Sequence, residues 1–173
     1  MKNLPIGSPI KIDKTSYFDQ QIVAGMKTVF NPLDRAALIY RIGLLNERSS
    51  AHWGKMTLGQ MLRHCSLFDE MTLGDKTYKQ SLIGKLVGKS VLKGTLKNDA
   101  PLKKNLPTVK GFKIIATDID WQIEKNRWVS LINRYEQSPI TEYVHPFFGT
   151  LKRVELGQLS YKHADHHLRQ FNV

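Results

Sequence analysis

His163-Ala164-Asp165-His166-His167-Leu168-Arg169-Gln170-Phe171 closes a segment that decides how the chain is read. Followed back to Arg153, it has a helical period. On a wheel turning 100° per residue, Leu156, Leu159, His163, His167 and Gln170 fall within roughly 80° of one another. Asp165 and Arg169 fall on the opposite side, and His166 sits at the edge of the apolar face. The spacing predicts a helix from about Arg153 to Phe171. Its two imidazoles one turn apart have Cβ atoms about 5–6 Å from each other, near enough to converge on one ion.

A third imidazole lies earlier. Thr57 and Gln60 form a capping-box pattern that opens a helix. Within that helix Met61, His64, Leu67, Phe68 and Met71 share one face with Gln60, and Gly74 is a plausible stop. His64 stands in the middle of this core stripe. Bundles of helices build metal sites from such inward side chains, so His64, His163 and His167 are the candidate ligands. Neutral imidazole suits zinc, nickel or copper. Three protein ligands leave a position open for water or substrate.

The rest of the chain supplies the other helices. Asn31-Pro32 is a cap followed by a first-turn proline. Leu33, Ala36, Ala37, Tyr40, Leu44 and Leu45 then carry a helix to about Asn46. Trp121, Trp128, Leu131, Ile132 and Tyr135 mark another from about Asp118 to Gln137. Between them, Lys85, Lys89, Lys93 and Lys97 recur every four residues, with Leu82, Leu86 and Val87 expected to pack behind them. Gly84, Gly88 and Gly94 each weaken a helix by roughly 1 kcal/mol relative to Ala. A short helix followed by an irregular stretch through Pro101 and Pro107 is therefore expected. Met1 to Phe30 reads as an irregular lead-in with a short helix around Ser16 to Val23. Pro139 to Gly149 reads as a turn-rich link. The expectation is an all-α fold: residues 1–173 as one four-helix bundle with a Lys-rich insertion between its second and third helices.

Composition bounds the function. The 173 residues are 41% hydrophobic, with three Trp, six Tyr and seven Phe, enough for a packed core. No run approaches the ~18 apolar residues of a membrane span, and no signal peptide is recognised. The lone Cys65 excludes an internal disulfide, and a reducing cytoplasm is the expected compartment. Of the net charge of +11, most is local, because Lys85 to Lys113 holds eight lysines against one acid, Asp99. Few aromatics interleave with those lysines, which argues against nucleic acid as partner. A small-molecule substrate is expected and no membrane partner is. A homodimer is open, with Tyr161 and Leu168 on the outer face of the last helix placed to meet the Lys-rich segment or a second subunit.

These residues resemble the DinB-like (YfiT-like) metal-binding four-helix superfamily. His64 within Gln60-Met61-Leu62-Arg63-His64 matches its first histidine, and His163 and His167 match its His-x-x-x-His pair. Trp53-Gly54-Lys55-Met56-Thr57, His145-Pro146-Phe147-Phe148-Gly149 and the ending through Phe171 are closest to one family within it, domain-of-unknown-function family 1569. The resemblance implies one divalent metal, zinc or nickel, on three histidines. It also implies either hydrolysis or transfer of a low-molecular-weight thiol. Two positions depart from the family pattern: Lys152, a poor cap for the last helix, and Leu156, where an aromatic is usual.

Other residues have further candidate roles. Cys65 reads as a small buried apolar residue. His145, in a loop before the last helix, is a candidate acid or base against a plain structural turn. His166 is a candidate for orienting a ligand, His52 reads as surface beside an inward Trp53, and Gln60 and Gln170 could each orient an imidazole. The alternative function is a non-catalytic binding or stress-response module that uses the basic segment from Lys85 to Lys113.

Overall fold

Asn31 opens the first described helix by accepting hydrogen bonds on its side chain from the Leu33 and Asp34 N–H groups. In this computed structural model, which describes residues 25–108 and 110–173, α1 spans Pro32–Leu44 and α2 spans Leu58–Thr72. The capping box of α2 is complete: Thr57 accepts from the Gln60 N–H and Gln60 accepts from the Thr57 N–H. Gly74, at φ +87°, ends it, in a conformation that a side chain disfavours. Then come α3 at Leu82–Thr95, a 3-10 turn at Lys110–Phe112, α4 at Trp121–Arg134 and a 3-10 turn at Tyr135–Gln137. Strands β1 (Glu142–His145) and β2 (Gly149–Lys152) lead straight into α5 at Arg153–Gln170. The short helix expected at Ser16 to Val23 lies outside the described residues. No described helix is long and apolar enough to cross a membrane.

The expectation of an all-α four-helix bundle is corrected by β1 and β2. They form an antiparallel hairpin in which Glu142 faces Lys152 and His145 faces Gly149. Tyr143, His145, Gly149 and Leu151 turn inward, whereas Glu142, Val144, Thr150 and Lys152 turn outward. This is the two-residue alternation of a half-buried sheet. The fold is thus five described helices plus a small sheet. Four of the helices make a closed ring of contacts in which α2 and α5 each pack on α4 or α1 as well as on each other.

Helix α3 corrects a second expectation. It runs for 14 residues, and Leu82, Leu86 and Val87 do not pack inward. Its buried stripe is Gly84, Gly88 and Leu92, while Leu82 and Leu86 are 78% and 84% exposed. A Cβ at Gly84 or Gly88 would collide with the Phe147 carbonyl of the hairpin turn. The glycines therefore let a helix lie directly on backbone, which a larger residue forbids.

Helix α5 is buried on nearly every side, including Tyr161 and Leu168, which were expected to face outward. Tyr161 lies under Lys27, whose ammonium is 5.6 Å from the ring centre. Lys152 contributes no side-chain cap. Instead its N–H donates to Glu155 Oε2 at 2.9 Å, and the helix start is fixed by Arg153, which donates to the Ser138 and Ile140 carbonyls.

A polar knot crosses the core between α2 and α4. Trp128 Nε1 donates to Asp69 Oδ2 at 2.8 Å, and Tyr135 OH donates to Asp69 Oδ1 at 2.7 Å. Burial pushes the Asp69 carboxyl up to about 7, although Tyr135 and Trp128 oppose the shift. Because the folded-state value lies above the unfolded one, the folded chain holds an extra proton between them. Stability is then greatest below the unfolded value and falls as pH rises through 7. Asp69→Asn keeps an acceptor and a donor for the same two partners and removes the titration. Denaturant melts at pH 5 and pH 7 should show the native protein losing roughly 2 kcal/mol more than Asp69→Asn. Equal pH dependence would refute the assignment. Gly88→Val should cost about 1–3 kcal/mol through overpacking, with hydrogen-exchange protection lost first in α3 and the hairpin.

Candidate metal centre

The inward faces of α2 and α5 bring His64, His163 and His167 together. One nitrogen from each lies within 4.8 Å of the others. The ring centres of His64 are 5.0 Å from His163 and 4.8 Å from His167. His64 and His167 are buried and His163 is half-buried.

Hydrogen bonding fixes which nitrogen is free. His64 Nδ1 is 2.9 Å from the Phe112 carbonyl, which only accepts, so Nδ1 carries the proton. His167 Nδ1 is 2.9 Å from Gln170 Oε1, and the Gln170 amide nitrogen donates to the Trp53 carbonyl at 2.7 Å. That second bond orients the amide so that its oxygen accepts from His167. Both imidazoles are left with an unprotonated Nε2, and that of His64 is turned into the cluster. His64 Nε2 lies 3.0 Å from His163 Nε2, and the His163 ring stacks on Phe68 at 3.9 Å between centres. A tetrahedral zinc ion with bonds of ~2.0–2.1 Å sets its ligand nitrogens roughly 3.3 Å apart. The His64–His163 pair is close to that spacing, and the full set of three lies within 4.8 Å.

Electrostatics agree. Burial holds the His64 imidazole below its usual value, partly countered by the Phe112 carbonyl. Burial holds His163 well below, reinforced by His167 and His64. Burial pushes His167 down to about 3, with His64 adding to the shift and Gln170 opposing it. Three neutral, desolvated imidazoles, two of them with pre-set tautomers, could hold a divalent ion, since burial disfavours their protonated forms at neutral pH.

The other candidates take different places. His145 is buried in β1 outside the cluster. Its Nδ1 accepts from the Phe147 and Phe148 N–H groups, each at 3.1 Å. In the neutral ring the proton is therefore on Nε2, so His145 offers a donor and no lone pair for a metal. Burial lowers it to about 4. Its ring is 6.2 Å from Phe68, which also stacks on His163. His166 packs edge-on against Trp53 at 5.9 Å and is not among the converging nitrogens. Gln170 orients His167, whereas Gln60 is used in its cap and donates to the Ala116 carbonyl. Cys65 is fully buried against Met61, and burial together with Asp69 raises its thiol well above the usual range. His52 is exposed. Sequence reasoning did not find the Phe112 carbonyl, because a main-chain group has no side-chain signature. Nor did it find Phe68 as the stacking partner of His163, although Phe68 follows His64 by one turn on the same face. A groove of about 670 Å³ lies beside α2, lined by Arg63, Leu67 and Ile119 among others, and none of the three histidines lines it.

No curated protein and no solved structure matches the chain. A family model does, that of the proteins of unknown function DUF1569, and it matches residues 26–173. The stretch it covers contains both helices that carry the histidines, the hairpin and the capping-box segment, and the chain belongs to the DUF1569 family.

Proposed function

We propose that this is a divalent-metal protein, with His64, His163 and His167 as the ligands of one zinc or nickel ion and with an open position for substrate. The observation that carries this is the fixed tautomer of two of the rings, with each Nδ1–H held by an acceptor and each Nε2 left unprotonated, in a cluster where one nitrogen of each of the three histidines lies within 4.8 Å of the others. A merely structural core histidine needs one hydrogen bond; a metal ligand needs its second nitrogen left bare and the first one tethered.

The resemblance to the DinB-like superfamily extends this to catalysis, either hydrolysis or transfer of a low-molecular-weight thiol. A bound divalent ion would supply Lewis acidity toward water or thiol. The chain's own residues supply the rest. Phe112 and Gln170 orient the imidazoles, Phe68 screens His163, and burial excludes water from the rings. His145 presents Nε2–H as a donor, suited to hydrogen-bonding an anionic or carbonyl group of a substrate. It is the candidate catalytic residue outside the ligand set.

Elemental analysis and isothermal titration with zinc and nickel should give about one equivalent per chain. His163→Ala should reduce this to near zero while leaving the circular dichroism spectrum intact. Gln170→Leu should weaken metal binding about 10–100-fold, as loss of such orienting partners does. Gln170→Glu, which still accepts from His167, should restore most of it. Chromogenic esters and amides, and coupling of a small thiol to an electrophilic dye, should show turnover that disappears with chelation and with His163→Ala. Turnover indifferent to both would remove the catalytic claim, and a native protein that takes up no metal would remove the site.

A further inference from the structure

Helix α3 displays an apolar surface that no described residue covers. Leu82, Ile83 and Leu86 are 78%, 68% and 84% exposed, and Val87 and Val91 are each 43% exposed. On the helical wheel these five side chains span about half the circumference, opposite the Gly84, Gly88 and Leu92 stripe that rests on the hairpin. Lys85 and Lys89 flank one edge of this arc, Lys93 and Ser90 fall within it, and the exposed Lys97 follows just past the helix end. Lys89 is tied to the Thr150 carbonyl. No acidic residue occurs between Lys76 and Asn98.

Charge decides what can cover the arc. A second copy in a two-fold contact would set the same lysine row against itself with no acid on the helix to relieve it, and like charges there cost affinity. A nucleic acid would meet the lysines but would gain nothing from five aliphatic side chains, since its binding rests on phosphate contacts and aromatic stacking. An anionic lipid surface uses both features: acyl chains take the aliphatic arc and headgroup phosphates take the lysines. We propose that α3 lies flat on an anionic membrane surface, with Leu82, Ile83 and Leu86 immersed and Lys85, Lys93 and Lys97 on the phosphates. The sequence offered only the absence of a span. A surface helix needs none, because its length lies parallel to the bilayer.

The full-length chain should co-sediment with vesicles of phosphatidylcholine containing about one-third phosphatidylglycerol. It should not bind pure phosphatidylcholine, and binding should weaken as salt is raised. Lys85→Gln with Lys93→Gln should lower partitioning roughly 30-fold, at about fivefold per lysine. Leu86→Ser should lower it on the order of tenfold, with the thermal midpoint unchanged, because this residue makes no core contact. His163→Ala should bind vesicles as the native chain does, since the surface is separate from the metal centre. Three results would overturn the proposal. One is failure of the native chain to bind anionic vesicles. Another is binding that depends on the lysines and not on Leu86, which would mark a generic polyanion site. The third uses an environment-sensitive dye on Leu86→Cys, with Cys65 buried and unreactive: a dye already shielded without vesicles would show that the arc is covered by the chain itself or by a second copy.

Discussion

Burying α5 on nearly all sides calls for partners to its polar groups, and much of the structure is the set of those partners. Asp165 takes Arg41 and Arg169, at 2.7 Å each. The Lys162 ammonium reaches the carbonyls of Asn98 and Ala100. Ser160 lies within reach of the Tyr135 hydroxyl, and Gln170 bridges His167 to the Trp53 carbonyl. These bonds tie further parts of the chain to α5: α1 through Arg41, the 98–100 stretch through Lys162, the Trp53 loop through Gln170. Removing a partner from a buried polar group costs more than the bond itself is worth, so these attachments are mutually enforced. His163 and His167 of α5 are part of the same constraint. His167 is satisfied on one nitrogen by Gln170, and its ring lies beside those of His64 and His163.

What could be read from residue order was local or periodic. Asn31-Pro32 and Thr57 with Gln60 name their helix starts because capping chemistry involves residues two or three apart. The histidines were placed on inward faces because helical periodicity assigns faces without knowledge of the neighbour. The hairpin was hidden because its strands are four residues each, too few for a two-residue alternation to stand out. Its inward set of Tyr143, His145 and Leu151 passes easily for loop. The face of α3 was misjudged because pattern reading seeks leucines for the inside, and here the inside is glycine against main chain. Tyr161 and Leu168 were misplaced for the converse reason. A wheel divides a helix into two sides, and α5 has almost no outer one.

Two different ways of keeping polar groups in the core stand side by side. The Asp69 knot confines a carboxylate among Trp128, Tyr135 and Thr72 with no ion-pair partner among the described residues. The histidine cluster confines three bases, all held neutral by burial. The first site resists ionisation and the second resists protonation. Acid and alkali therefore act on this core in opposite senses at places joined by one helix, α2, which carries His64 and Asp69 little more than a turn apart.

The contact of Gly84 and Gly88 with the Phe147 carbonyl also sets the rotational phase of α3. A turn of one residue about the helix axis would carry Lys85 and Lys89, or Ile83 and Val87, into a gap that admits only a hydrogen atom. The helix is keyed, in the way a shaft is held by a slot, by what it lacks on one side. The outward aim of Leu82 and Leu86 is thereby dictated from the reverse side of the helix, and a change made at the hidden glycines would be felt first as a swivel of the exposed leucines.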